Sequence, residues 1–339
     1  MTRAVVLARH PDGAVTEQDF KVVEMPVGDC PAGYFRTRNR VISLDAGFRQ
    51  WMTAGAGDNY LTGMQVGDPV QSIVLGEVIE SHHADYPVGT FVSARTAWEE
   101  CSLLDGSDLC SALIVDEDIP LHQYMGILGP TGMTAWVGLY EIGLPKLGET
   151  VVVSAAGGAV GTVVGQLAKA EGCRVIGLTS TREKAQWLET EVGYDRVIDR
   201  ETQPHLANAL SAAAPEGIDI FFDNVGGDIL EAALDHLALN ARVILCGGIA
   251  GYNAVTPVPG PKNIMNLVIT RSRMEGFIVI DYLSRMAEFL ADMVPWYQSG
   301  KIIHLEDVQE GFDAIPATLQ RLFSGQNQGK QLLRLADPA

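Results

Sequence analysis

Cysteine is sparse and scattered in this 339-residue chain, and that rules against two architectures at once. The five residues, Cys30, Cys101, Cys110, Cys173 and Cys246, are odd in number and form no Cys-x-x-Cys pair. That pattern argues against a disulfide framework and fits reduced thiols in a cytoplasm. No His/Cys cluster has ligand spacing either, so no metal site is expected. The adjacent pair His82-His83 would point to opposite faces of a strand, which favours a surface position. Long apolar runs are also missing. Ala4 to Ala8 is a five-residue run between Arg3 and Arg9, too short for a signal peptide, and no window approaches a membrane-spanning length. Positive charge is short as well. The 24 Lys and Arg face 42 Asp and Glu, a net charge of −18, which argues against nucleic acid or an anionic membrane surface as partner. A phosphate-rich ligand must then be held by local donors against the overall field.

What remains is ordinary for a soluble globular enzyme: 47% hydrophobic and 19% charged residues, in a length that suggests two domains. There are no internal repeats or low-complexity tracts. The most informative stretch runs from Glu149 to Lys184. Val151-Val152-Val153 reads as a parallel strand buried on both faces. Small residues follow from Ser154 to Gly161, and then Val160, Val163, Val164 and Leu167 recur at helical spacing, with Gly172 as C-terminal cap. Cys173 to Leu178 is a second apolar strand. Strand, glycine turn, helix, strand is a βαβ unit of the dinucleotide-binding type. The spacing is Ala155-x-x-Gly158-x-x-Gly161, short of the full G-x-G-x-x-G. Glycine admits a pyrophosphate close to the backbone, and the helix N-terminus offers unpaired N–H groups to it.

The residues after the second strand bear on the cofactor. An NAD site carries an acid there for the ribose 2′-hydroxyl, whereas this chain reads Leu178-Thr179-Ser180-Thr181-Arg182. Arg182 and Lys184 stand where a 2′-phosphate would lie, and Arg200 ends the next strand, so NADPH is expected over NADH. A local reading coexists with this one, in which Ser180 and Glu183 form a capping box and Lys184 is a solvated helix residue.

Along the chain, residues 1 to about 120 alternate strand candidates (3–9, 20–27, 34–44, 69–80, 90–97 and 112–115) with turn markers. A helical stretch covers 120–143. Later strands are expected at 196–198, 218–222, 242–246 and 274–280, with helices near 203–213, 228–239, 262–271, 282–300 and 314–324, and a final strand at 331–335. Six strands from 151 to 280 suffice for a doubly wound sheet, whose ligand crevice lies at the strands' carboxyl ends.

Taken together, Ser154–Lys169, Phe222–Gly227 (FDNVGG), Cys246–Asn253, Arg273–Ile280 (RMEGFIVI) and Asn327-x-Gly329-Lys330 resemble the zinc-independent branch of the medium-chain dehydrogenase/reductase superfamily. Within it they are similar to the NADPH-dependent double-bond reductases that act on alkenals, prostaglandins and curcumin. The resemblance covers nearly the whole chain. It implies an α/β fold, with a Rossmann doubly wound sheet at 126–298 and a GroES-like barrel-type catalytic domain made of 1–125 and 299–339. It also implies a homodimer. Gly158, Ala159, Val160 and Gly161 would face the pyrophosphate, and Thr181, Arg182, Lys184 and Arg200 the adenosine phosphate. Asn224 and Cys246, Gly247, Gly248, Ile249 and Tyr252 would line the cofactor. Phe277, Ile278 and Val279 would offer backbone to the nicotinamide, with Asn327 closing over it.

The chain departs from the family pattern in three places. Arg200 stands where the family often has Tyr, Leu44-Asp45-Ala46-Gly47-Phe48-Arg49 replaces Leu-Asp-Pro-Tyr-Met-Arg, and Ile269 replaces a further Tyr. The implied reaction is hydride transfer from NADPH to the β-carbon of a small-molecule enone or enal. Quinone or carbonyl reduction is the alternative, and a non-catalytic NADPH-binding protein a third. Tyr252 is read either as donor to the developing enolate or as a residue stacking on the cofactor. Tyr60 is a proton donor or a plain loop tyrosine, and Arg49 a barrel salt-bridge residue or a substrate contact.

Overall fold

The computed structural model describes residues 1–57, 61–107, 109–256 and 258–335. In chain order the strands and helices begin with β1 (Thr2–Leu7), β2 (Phe20–Met25), β3 (Phe35–Ser43), β4 (Gln71–Ser81), β5 (Phe91–Ala97), β6 (Cys101–Leu104) and β7 (Ser111–Ala112). They continue with α1 (Pro130–Val137), β8 (Thr150–Val153), α2 (Ala159–Ala170), β9 (Arg174–Thr179), α3 (Arg182–Trp187), β10 (Arg196–Asp199), α4 (Leu206–Ala213), β11 (Ile218–Asp223), α5 (Gly227–Leu234), β12 (Leu237–Leu245), α6 (Asn266–Thr270) and β13 (Arg273–Gly276). The chain ends with α7 (Met286–Gln298), β14 (Glu306–Glu310), α8 (Ile315–Ser324) and β15 (Lys330–Arg334).

Two compact units result, one made of Met1–Met125 with Glu306–Ala339 and the other of Gly126–Leu305. The second junction lies at 305/306, not at 298/299 as expected from the sequence. The Gln166 side chain explains the shift: its Nε2 donates to Ile303 O at 2.7 Å, and Ile303 N donates to its Oε1 at 2.6 Å. That pair of bonds keeps the segment before β14 on α2.

In the first unit β3 pairs with β4 along one edge from Phe35 to Ile42, and along the other with β6 at Phe35–Arg38 and with β15 at Val41–Ser43, in a sheet ordered β14-β15-β3-β4-β5-β7. All pairs are antiparallel except β14 with β15. The core gathers Leu7, Ile42, Leu44, Met52, Trp98, Ile315 and Leu333, so both chain ends supply it. β6 and β14 were not expected from the sequence. β6 has only four residues, too few to show a period, and β14 is polar at four of its five positions.

In the second unit a six-stranded parallel sheet runs β10-β9-β8-β11-β12-β13. Numbered within the unit this is 3-2-1-4-5-6, the doubly wound order whose direction reverses between β8 and β11. The buried runs Val151–Val153 and Ile220–Phe222, all at 0% exposure, form its centre. Two boundaries differ from expectation. α5 stops at Leu234 and β12 already begins at Leu237, before a register shift opposite Ile218/Ile220. The strand expected at 274–280 ends at Gly276, because its last partner, Leu245, ends β12. The chain then leaves the sheet into a 3₁₀ segment, Val279–Arg285.

Candidate functional site

At the carboxyl end of β8 the backbone turns through Ala155, which holds φ +48. This left-handed conformation costs a non-glycine residue about 1–2 kcal/mol. Ala155 thus keeps the shape of the fingerprint's first glycine without being one. Gly158 is the N-cap of α2, and Thr162 N is the first to reach back to a helix-type partner, Gly158 O at 3.0 Å. The N–H groups of Ala159, Val160 and Gly161 precede that bond and have no acceptor within the helix. Gly158, Ala159 and Val160 are partly exposed. A Cβ on Gly161 would lie 2.5 Å from Ala155 O and 2.7 Å from Ala156 Cα, so the helix meets the turn only with glycine there. Three free donors at a helix N-terminus form a site for an anion.

Across the reversal point, Asp223 at the end of β11 is fully buried. Its carboxylate accepts Ser154 Oγ at 2.8 Å, Val225 N at 3.0 Å and Gly226 N at 3.1 Å. Burial pushes its pKa up, against those donors. Asn224 returns the tie, with its N donating to Ser154 Oγ at 2.7 Å and its Nδ2 to Ser154 O at 2.8 Å. Asp223 O also accepts Cys246 N and Gly247 N, and Ala250 N donates to Val225 O, so the loop after β12 is bound to the loop after β11. Gly226 and Gly227 hold φ +74 and +57, which explains the paired glycines of FDNVGG. Ser154 and Asp223 were missed as site residues. The signal was an Asp heading a glycine pair at a strand end, where an acid has to be a cap or a ligand.

Tyr252 lies in the loop after β12. Its hydroxyl accepts Gly248 N at 3.0 Å, and burial raises its pKa. Cys246 beside it is pushed up to about 12, by burial and then by Asp223, so it is a neutral thiol at physiological pH. Ile249 opens a short 3₁₀ turn, Ile249–Gly251. Beyond β13 the Phe277 ring does not face open space. A Cβ on Gly138 would sit 2.9 Å from it and 2.6 Å from Phe222, so these rings pack on that glycine. The backbone of Ile278 and Val279 lies past the last ladder pair of β13 and is free of the sheet.

At the other end of the crevice β9 leads into α3. The expected capping box of Ser180 and Glu183 is corrected: Thr181 is the N-cap, with its Oγ1 accepting Lys184 N at 3.3 Å. Lys184 lays its stem over the glycine turn before α2, with Cδ 3.3 Å and Cβ 3.4 Å from where a Gly157 Cβ would lie. Arg200 N donates to Thr179 O at 3.1 Å, which brings the end of β10 beside the end of β9. Arg182 and Arg200 are both exposed. The structure therefore brings Arg182, Lys184 and Arg200 to the carboxyl ends of two adjacent strands.

The remaining predicted residues belong to the first unit. Arg49 is 2% exposed and gives its guanidinium to Gly13 O at 2.7 Å and Thr53 Oγ1 at 2.9 Å. Among the described residues its hydrogen-bond partners are the backbone carbonyls of Pro11 and Gly13 and the Thr53 hydroxyl. Burial lowers its pKa. Asn327 is buried and donates through Nδ2 to Gly329 O at 3.0 Å. Nearby in sequence, Lys330 Nζ pairs with Asp45. Tyr60 lies outside the described residues.

Two residue ranges match known family descriptions: residues 3–112 match "N-terminal domain of oxidoreductase" and residues 159–296 match "Zinc-binding dehydrogenase". Among the described residues no group of three or more His, Cys, Asp or Glu is placed to hold a metal ion. The chain is 36% identical over 337 residues to the NADP(+)-dependent 2-alkenal reductase of Nicotiana tabacum, covering 98% of this chain and 97% of that protein. It is 35% identical over 339 residues to the NADPH-dependent curcumin reductase of Escherichia coli K12, covering 98% and 97%. Among solved structures, CurA from Vibrio vulnificus in complex with NADPH superposes with a TM-score of 0.91 at 36% identity, covering 99% of this chain and all of that one.

Proposed function

The chain belongs to the medium-chain dehydrogenase/reductase family, in its double-bond reductase group, and we propose that it is a zinc-independent, NADPH-dependent reductase of the C=C bond in α,β-unsaturated ketones and aldehydes. The observation that carries this reading is the loop set after β8, β11 and β12. There an anion-binding helix N-terminus and a half-buried tyrosine stand on one hydrogen-bonded frame, Ser154–Asp223–Asn224.

These residues fit NADPH. The N–H groups of Ala159, Val160 and Gly161 take the pyrophosphate, and Lys184, with Arg182 and Arg200, takes the 2′-phosphate. Three cations there favour NADPH over NADH by at least tenfold, since a charge-assisted bond contributes about 1.5–3 kcal/mol. Asn224, Cys246, Gly247, Gly248 and Ile249 line the cofactor, and Ile278 and Val279 present their N–H groups beyond β13, where Ile278 O is already taken by Asp281 N. When bound, NADPH supplies a hydride for the β-carbon of the enone. Tyr252 meets the negative charge that develops on the carbonyl oxygen. Its hydroxyl oxygen already accepts Gly248 N–H, which leaves its own proton to donate. The raised pKa keeps that proton in place through neutral pH.

The same chain is proposed as a homodimer of the cytoplasm. No helix among the described residues is long and apolar enough to cross a membrane, and the five cysteines are free. β13 is an edge strand, flanked by exposed Met265 (64%), Val268 (64%) and Ile269 (67%). Antiparallel pairing of two copies centred on Met274 sets Arg273 opposite the partner's Glu275, twice over.

The test is product analysis after exhaustive chelation, using NADPH and a conjugated enone whose carbonyl is also reducible. The saturated ketone is the expected product. An alcohol with its C=C bond intact would move the protein to carbonyl reduction, and activity lost on chelation and restored by zinc would remove the zinc-independent reading.

A further inference from the structure

Tyr194 occupies a position that neither the sequence motifs nor the cofactor residues account for. It follows Gly193, whose φ of +91 reverses the chain after the helical segment ending at Val192, and it precedes β10. The side chain is 3% exposed. Its ring fills a notch floored by two glycines. A Cβ on Gly165 of α2 would overlap the ring and the hydroxyl, and a Cβ on Gly177 of β9 would lie 3.0 Å from the ring. The hydroxyl donates to Gly161 O at 2.6 Å. Gly161 is the residue that abuts Ala155 O and Ala156 Cα at the head of α2. One side chain thus spans from the start of β10 to the turn whose N–H groups form the anion site.

We propose that Tyr194 is a positioning residue for dinucleotide binding: its ring sets the seat of α2 on β9, and its hydroxyl fixes the Gly161 peptide so that the first-turn N–H groups converge on the pyrophosphate. This rests on the reading of that turn as the cofactor site. The physical basis is orientation. The donors that bind the phosphates belong to Ala159, Val160 and Gly161, and a buried hydrogen bond on the Gly161 carbonyl holds the Gly161–Thr162 peptide, the one that directly follows the peptides carrying those donors. Removing the hydroxyl does not orphan the carbonyl, because in α2 it also accepts the helical bond from Gly165 N. The ring of a phenylalanine still fills the glycine notch, so the fold is retained.

Tyr194→Phe is therefore the informative variant. NADPH affinity is read by fluorescence titration, kcat and the NADPH KM by steady-state kinetics at saturating enone, and stability by the thermal midpoint. The expected result is a three- to tenfold weaker NADPH Kd with a matching rise in the NADPH KM, and kcat at saturating cofactor unchanged. A lower thermal midpoint with Kd and KM unaltered would make Tyr194 a packing residue and overturn the proposal. So would a variant indistinguishable from wild type in every measurement. Wild-type protein that fails to bind NADPH at all would instead overturn the cofactor reading beneath it.

Discussion

Replacing Lys184 with alanine should separate the two nicotinamide cofactors. The Lys184 stem is laid along the phosphate turn by α3, which starts at Arg182 because Thr181 caps it through Lys184 N. Gly157 lets the stem come this close, with Cδ 3.3 Å from where its Cβ would lie. The side chain is half-buried, so its charge is screened less than that of exposed Arg182 and Arg200. A charge-assisted hydrogen bond contributes about 1.5–3 kcal/mol, and partial exposure places Lys184 in the lower half of that range. At about 1.4 kcal/mol per decade, NADPH should bind roughly 10–40-fold more weakly to Lys184→Ala. NADH has no 2′-phosphate and should change by less than about twofold. Arg182→Ala and Arg200→Ala, at exposed positions, should each cost up to about fivefold, the scale of an exposed ion pair. The assay is equilibrium titration of both cofactors by fluorescence at fixed ionic strength. Equal losses for NADPH and NADH would refute the assignment of this corner to the 2′-phosphate.

Tyr252→Phe should lower kcat about 10²-fold, some 2.7 kcal/mol, the size of a lost oxyanion donor; an unaltered kcat would leave the residue as a stacking surface. Because burial raises the Tyr252 pKa from 10.0, kcat of the wild type should show no loss from this group until the pH exceeds 10. Burial alone would raise the Glu149 pKa, but two bonds from Arg242, at 2.9 and 2.5 Å, outweigh it and hold it below 4.5. A lowered carboxylate pKa means its stabilisation is full above pH 4.5 and fades as the pH falls through the folded value. Urea midpoints of Glu149→Gln should accordingly change less between pH 5 and pH 3 than those of the wild type, and an equal slope would contradict this. Val268→Asp with Ile269→Asp, both at exposed positions, should convert a dimer into a monomer in light scattering after size exclusion; a wild type that is already monomeric would remove the edge-strand pairing.

The central βαβ unit was legible because its strands are buried on both faces. Val151–Val153 and Val175–Leu178 show that as unbroken apolar runs, and the small-residue turn between them has a steric cause visible at Gly161. The grouping of Arg182, Lys184 and Arg200 was legible from charge, since no acid stands between Thr179 and Glu183. Boundaries were less so where tertiary partners set them. β13 stops at Gly276 because β12 ends at Leu245, although the apolar run continues to Ile280. β14 is polar and exists because β15 lies beside it. Thr181, not Ser180, caps α3, and adjacent hydroxyl residues gave no means to choose. The bond from Arg49 to the Gly13 carbonyl was not legible either, because a backbone acceptor carries no sequence signal. Tyr194 and Asp223 act through glycine notches and N–H groups that only the folded chain assembles.

The most direct measurement follows the hydride itself. NADPH deuterated at C4 on the transferred side is incubated with the protein and a conjugated enone, and the product is examined by NMR and mass spectrometry. The double-bond reading predicts one deuterium on the β-carbon of a saturated ketone, with the carbonyl intact. Deuterium on a carbinol carbon, with the C=C bond retained, would contradict it.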